Sequence, residues 1–328
     1  MESDNPANKS LQLEAEAFDR QIDERIANGH IPDLRLAEPC DYFYNNPWRR
    51  PAYVKLDFVE QFEVIRDAIS KCLGNPPGNL RVLEVGCGPG YLSLELARSG
   101  FNVVGLDISE RCIEIASKFS KQDPWIAQRG NLDYIAGDFY SSPELENETF
   151  DIVVFLGALH HFSDQLATIQ RARNLIKPNG LIIAHEPVRD RVTRGNAAFV
   201  HLLSSLLSIN NNFFKHQNLS FDRDQLLTEI DKVYNSLRYE SEDGEKVQSV
   251  NDNEAGYAEM YPQLNNLFKQ ERFEWRYAFF HEFIGGLRFD NEATNAHVAQ
   301  FLREMDRILV ETGVLNATEF LFVGRKVS

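Results

Sequence analysis

The sequence predicts an α/β fold built on a mainly parallel sheet. Two observations carry that prediction. From residue 80 onward, short apolar runs alternate with helical patterns of about ten to fifteen residues, the rhythm of right-handed βαβ crossovers. At the head of that region stands Arg81-Val82-Leu83-Glu84-Val85-Gly86-Cys87-Gly88-Pro89-Gly90-Tyr91. It reads as a buried strand, a turn with glycine at every second position, and the start of a helix. This arrangement brings backbone close to a nucleotide-like ligand at the carboxyl edge of an open sheet.

The elements follow in order. Leu11, Ala15, Phe18, Ile22 and Ile26 recur at helical spacing, and Asn28-Gly29 gives a stop. Residues 1–10 are polar and are expected to fray. Residues 30–53 hold four prolines among aromatic residues, an irregular segment. A second helix fits 54–73, and Gly74-Asn75-Pro76-Pro77-Gly78 breaks the chain. Strands then fit 82–85, 101–107, 132–136, 150–156 and 181–184. Ser109 can cap the helix to about 120, Ser163 one over 164–176, and Lys177-Pro178-Asn179-Gly180 is a turn. Residues 190–272 break the rhythm, with helices over 199–207 and 222–237 and an acidic stretch at 240–254 that is expected to be mobile. The alternation resumes near 273–283. A helix fits 297–311 and a final strand 319–327.

Bulk composition narrows the function classes. The 328 residues are 43% hydrophobic and 25% charged, ordinary for a soluble domain able to bury a sizeable core. A formal net charge of −15 argues against nucleic acid as partner, because that binding draws on clustered Lys and Arg. No apolar run reaches the roughly 18–20 residues needed to span a bilayer, and the first residues lack the pattern of a signal peptide. Cys40, Cys72, Cys87 and Cys112 fit neither a zinc site nor a disulfide framework. A reduced cytoplasmic protein with no metal is the expectation.

The glycine turn departs from the dinucleotide fingerprint. Its third glycine would fall at Tyr91, where a phenol ring obstructs a pyrophosphate. Glu84, two residues ahead of the turn, has the wrong sign for a phosphate and suits a ligand with a cationic part. A nucleoside bearing an amino-acid tail and a positive sulfur is such a ligand. Asp107 ends the second strand about twenty residues beyond Gly86, where an acid can accept from ribose hydroxyls; it could equally serve only the helix cap beside it. Asp138 can accept from an adenine amine while Phe139 supplies an apolar wall. Both could instead be an ordinary turn acid and a core ring.

This combination resembles the class I S-adenosylmethionine-dependent methyltransferases. The likeness rests on Leu83-Glu84-Val85-Gly86-Cys87-Gly88-Pro89-Gly90, Gly105-Leu106-Asp107, Gly137-Asp138-Phe139, the run from Phe150 through Leu156-Gly157-Ala158-Leu159-His160-His161-Phe162, and Leu175-Ile176-Lys177-Pro178-Asn179-Gly180-Leu181. It covers about 80–186 well and the last fifty residues loosely. It implies a Rossmann-like seven-stranded sheet, mainly parallel, with the last strand antiparallel. The cofactor it implies is S-adenosyl-L-methionine, held by Glu84, Gly86, Cys87, Gly88, Gly90, Asp107, Ile108, Asp138, Phe139 and Leu156. The Leu-His-His-Phe run looks like small-molecule methyltransferases rather than the base-methylating type.

On this reading residues 1–78 form a helical cap, 79–189 the cofactor-binding core, 190–272 a helical lid over the substrate, and 273–328 the end of the core with strands six and seven. The expected reaction is methylation of a small-molecule acceptor, first of all at a hydroxyl. The general-base candidates are His160, His161 and His185, since imidazole titrates near neutral pH. Each could instead hold backbone or core. Tyr44, Trp48, Phe199 and His160 are candidates for the acceptor wall. N- or C-methylation, a non-catalytic cofactor-binding protein and an NAD-dependent oxidoreductase are the alternatives. The sequence leaves the acceptor and the oligomeric state open.

Overall fold

In the computed structural model, residues 6–40, 51–74, 76–215, 219–241, 243, 245–246 and 248–327 are described. The elements are α1 (Pro6–Ala27), α2 (Pro51–Leu56), α3 (Phe58–Leu73), β1 (Arg81–Val85), α4 (Tyr91–Arg98), β2 (Asn102–Asp107), α5 (Glu110–Lys121), β3 (Leu132–Ala136), β4 (Phe150–Leu156), α6 (Gln165–Leu175), β5 (Ile176–Pro187), α7 (Arg194–Ser208), α8 (Arg223–Leu237), α9 (Tyr257–Leu267), β6 (Lys269–Arg276), α10 (Phe280–Ile284), α11 (Glu292–Glu311) and β7 (Glu319–Arg325).

Seven strands form one sheet in the order β3-β2-β1-β4-β5-β7-β6. The pairs from β3 to β5 are parallel, and β7 runs antiparallel to both β5 and β6. The strand order reverses between β1 and β4, the switch point at which open α/β sheets bind ligands. Successive side chains of a strand point to opposite faces, so the central strands feed two cores. Leu83, Val85, Val153, Phe155 and Phe320 pack on one face with α6 and α9. Val82, Ile152, Val154, Leu181 and Leu321 pack on the other with α3 and α4. A third cluster joins α7, α8, α10 and α11. Among the described residues no helix is long and apolar enough to cross a membrane.

Several local expectations are corrected. Residues 6–10 are helical and open α1, with Pro6 at its first position, where its missing N–H costs nothing. The single helix at 54–73 is two, because Asp57 leaves helical geometry and its carboxylate accepts from Gln61 Nε2 at 2.7 Å. The turn at 177–180 lies inside β5 as a bulged segment, with Asn179 at φ 64°. The helix at 297–311 starts earlier, at Glu292, because the Asn291 side chain accepts from the Thr294 N–H at 2.8 Å. Between β6 and α10 the buried Asp306 carboxylate accepts the N–H groups of Ala278, Phe279 and Phe280 at 2.7–2.9 Å, which turns the chain there.

The acidic stretch at 240–254 is tied down where it is described. Glu14 of α1 accepts from the Ser249 hydroxyl at 2.8 Å and from the Asn251 N–H at 2.9 Å. Elsewhere Arg98 of α4 is 1% exposed and meets Asp33 and its helix neighbour Glu95 at 2.6 Å and Asp123 at 3.0 Å, so one guanidinium fastens the segments after α1 and α5 to α4.

Candidate active site

A cavity of about 380 Å³ opens at the switch point, over the carboxyl ends of β1, β2 and β4. The glycine turn forms its floor. The N–H groups of Gly86 and Cys87 both donate to the Leu106 carbonyl, at 2.8 and 3.0 Å, which binds the turn to β2. Gly86 has φ +72°, and a Cβ there would stand 2.5 Å from Ala158 Cβ. Gly88 differs. At φ +52° a Cβ would meet nothing within 4 Å, because the residue faces the cavity. The backbone thus leaves room at Gly88 for a ligand and none at Gly86.

Two acids stand beside the turn. Asp107 is buried and accepts from the Gly88 N–H at 2.7 Å and the Ser109 N–H at 2.9 Å. Burial outweighs those bonds and pushes its carboxyl up to about 6. The Ser109 hydroxyl caps α5 by accepting from the Cys112 N–H at 2.9 Å. Glu84 is 3% exposed and accepts the Ser93 hydroxyl. Burial, with the Asp107 charge behind it, pushes Glu84 up to about 8. This revises the expectation from sign alone: a carboxyl held that high keeps its proton at neutral pH. Cys87 is buried beside them as a neutral thiol, raised first by burial and then by Asp107.

The far wall is apolar. Phe139 is 3% exposed and meets Phe155 and Phe162 edge to face at 6.0 Å. Ile108 and Leu156 complete that wall. Asp138 stands at its rim, where Oδ2 accepts the Ser141 N–H and hydroxyl at 3.1 and 2.8 Å. Glu84, Gly86, Cys87, Gly88, Asp107, Ile108, Asp138, Phe139 and Leu156 all line this cavity. Gly90 caps α4 just outside it, and its missing side chain leaves room for the Tyr134 hydroxyl.

The histidines separate. His161 lines the cavity, with Nδ1 2.8 Å from Glu14 Oε1. Burial and then His160 lower its proton affinity against Glu14. His160 lies behind it, 4% exposed, with ring centroids 4.2 Å apart. Its Nδ1 meets Glu186 Oε2 at 2.8 Å, and Glu186 also takes the N–H groups of Ala158 and Leu159 at 3.0 Å. Burial works against charging His160, but Asp252 and Glu186 outweigh it and raise its pKa. His185 is outside the cavity wall, 2% exposed, with Nε2 3.2 Å from Glu319. Glu319 also meets His281 at 3.0 Å, beside a second cavity of about 200 Å³ whose walls share Phe58 with the first. Phe199 packs against Phe279 at 4.7 Å within the α7–α11 cluster, away from the first cavity. Tyr44 and Trp48 lie outside the described residues.

Sequence reasoning missed the wall supplied by α1, where Leu11, Glu14, Phe18, Gln21 and Ile22 line the cavity, and the contribution of Gln248 and Asn251. A signal for Glu14 existed. It is a charge on the apolar stripe of α1, one helical turn from Leu11 and from Phe18.

The sheet order, the antiparallel β7 and a cavity with buried acids at the switch point define a Rossmann-like fold of the class I methyltransferase type. The chain belongs to the methyltransferase domain family, whose model matches residues 58–254. It is 38% identical over 133 residues to a ubiquinone biosynthesis O-methyltransferase of Rhizobium johnstonii, covering 40% of this chain and 49% of that protein. It is 30% identical over 154 residues to a protein of the same name from Roseobacter denitrificans, covering 47% and 54%. The chain spans about half the length of the curated relatives it matches. In fold alone it resembles a proposed sarcosine dimethylglycine methyltransferase from Galdieria sulphuraria, at 14% identity and TM-score 0.52 over 94% of this chain and 98% of that one.

Proposed function

We propose that this protein transfers a methyl group from S-adenosylmethionine to a hydroxyl of a small-molecule acceptor. The observation that carries the reading is the pairing of an open Gly88 with the buried Asp107 carboxylate in one cavity. The residues present fit the cofactor. Asp107 would hold ribose hydroxyls, and Asp138 with Phe139, Ile108 and Leu156 would hold the adenine. The protonated Glu84 would become a carboxylate against the amino-acid ammonium. Bound there, the cofactor supplies a sulfonium methyl that is already a good electrophile, so the protein has chiefly to align the acceptor and exclude water.

The acceptor end of the cavity is the His161–Glu14 pair. His160 stands one layer back and acts through its neighbours. Residues 1–78 and 190–272 would shape the acceptor space above the core of 79–189 and 273–328, with α1 and residues 248–251 as its described part. The O-methyltransferase relatives favour a hydroxyl acceptor of the quinone-precursor kind. Thermal shift with S-adenosylhomocysteine against NAD tests the cofactor: stabilisation by the first alone is expected. Stabilisation by NAD alone would end this reading. Mass spectrometry of extracts incubated with the protein and S-adenosylmethionine should show a product heavier by CH₂ that is lost in Asp107→Ala.

A further inference from the structure

We propose that His160, His161 and Asp252 bind one divalent metal ion at the acceptor end of the cavity. The three side chains come from different places: the turn after β4 supplies both histidines, and the segment before α9 supplies the aspartate. Each offers one ligand atom, and these atoms lie within 4.8 Å of one another. His160 and Asp252 are 4% and 2% exposed.

Three features distinguish this cluster from an ordinary buried ion pair. Asp252 Oδ2 is buried and has no hydrogen-bond partner among the described residues. Buried carboxylate oxygens are seldom left so, since each costs its full desolvation. The gap between His160 Nε2 and Asp252 Oδ1 is 3.6 Å, too long for a hydrogen bond. At metal–ligand distances near 2.1 Å, two tetrahedral ligands stand about 3.4 Å apart, so the gap suits a bridging ion. Finally, Glu186 holds His160 Nδ1 at 2.8 Å, the carboxylate–histidine pairing that fixes a metal-binding imidazole with its other nitrogen turned to the ion. Glu14 Oε1 stands 2.8 Å from His161 Nδ1 as an ion-pair contact, without hydrogen-bond geometry.

Three carboxylates, Glu14, Glu186 and Asp252, therefore converge on two imidazoles in the interior, and a divalent cation would offset two of their three charges. Two imidazoles and one carboxylate favour Zn²⁺, Fe²⁺, Co²⁺ or Mn²⁺ over Mg²⁺ and Ca²⁺, which prefer all-oxygen sets. Because His161 lines the cavity, open coordination positions would face the acceptor. There the ion would lower the pKa of an acceptor hydroxyl. The O–H bond breaks and its proton leaves to solvent. The oxygen pair forms the new O–C bond, and the C–S pair stays on sulfur. That role rests on the methyl-transfer reading, whereas occupancy of the site does not.

The test uses the full chain stripped with chelator and then given Zn²⁺, Co²⁺, Mn²⁺ or Mg²⁺ separately. Elemental analysis after desalting should find one Zn²⁺ or Co²⁺ per chain and no retained Mg²⁺. Asp252→Asn should weaken Co²⁺ binding by at least about 100-fold, and Glu186→Gln by about 10- to 100-fold. The Co²⁺ protein should also give two hyperfine-shifted, exchangeable imidazole N–H signals, a readout that holds even where a variant fails to fold. No retained cation in the unmodified protein, or equal retention in folded Asp252→Asn, would overturn the site. Thermal shift with S-adenosylhomocysteine on the same samples separates the two ideas. A shift without metal uptake sinks the metal site alone, whereas uptake without a shift keeps the site and removes the cofactor reading.

Discussion

Replacing Glu84 by Gln should make the protein more stable as pH rises. An ordinary glutamate loses its proton near 4.5, whereas buried Glu84 holds its proton up to about 8. Between those values the native state carries one proton more than the unfolded state, so stability falls as pH rises, by about 1.4 kcal/mol per unit. The contribution is fully present below the unfolded value and is gone above the native one. From pH 5.5 to 7.5 the group should cost about 3 kcal/mol. Glu84→Gln keeps an oxygen for the Ser93 hydroxyl and has no proton to lose. Urea unfolding of both proteins without ligand, at pH 5.5 and 7.5, measures the effect. The variant's advantage should widen by about 3 kcal/mol between the two. A change below about 1 kcal/mol would mean that Glu84 is already ionised in the native state, and the electrostatic account of this end of the cavity would fail.

Other outcomes follow from the same geometry. If the ligand's ammonium reaches Glu84, S-adenosylhomocysteine binding at pH 7 should release close to one proton, seen as a buffer-dependent calorimetric enthalpy; an enthalpy that is the same in all buffers would place the ammonium elsewhere. Gly88→Ala should cost only about 1–2 kcal/mol of stability, from its left-handed backbone, yet lower S-adenosylhomocysteine affinity by tenfold or more. Gly86→Ala should do the reverse in emphasis, because its Cβ would press on Ala158 at 2.5 Å, and its melting temperature should fall further than that of Gly88→Ala. Arg98→Ala should destabilise the protein by about 3 kcal/mol in urea, since it takes the cation from buried Asp33 and leaves Glu95 and Asp123 with Arg35 and Arg129 alone. A loss under 1 kcal/mol would show that those acids are protonated or hydrated.

The core of the fold was legible because it is written locally. Val82, Leu83 and Val85 form a short apolar run, the alternating glycines follow at once, and a helical pattern begins at Tyr91. Asp107 and Asp138 could be singled out as cavity residues because a strand end is a place that sequence can mark. The acceptor end was not legible in the same way. Glu14 and Asp252 reach one point from α1 and from the segment before α9, and no local period records a meeting across more than two hundred residues. His160 and His161 are adjacent in sequence, yet one lines the cavity and the other is sealed behind it by Glu186. That division depends on a carboxylate of β5 and not on anything in the Leu-His-His-Phe run itself. The acidic stretch at 240–254 misled for a related reason. Its polarity reads as solvation, but Ser249 and Asp252 are buried against partners on other elements.

The placement of β7 has a consequence for how this chain is made. In the sheet it lies between β5 and β6, although it is synthesised after both. When β6 leaves the ribosome its neighbour β7 does not yet exist, and β5 still lacks that strand on its edge. The half of the sheet from β3 to β5 can assemble during synthesis, but the other half must wait for 319–325. Glu319 arrives on that late strand, and with it the contacts to His185 and His281. A nascent chain should therefore be able to build the glycine turn well before it has the second cavity. The exposed β5 edge is where such an intermediate would pair with another copy or engage a chaperone.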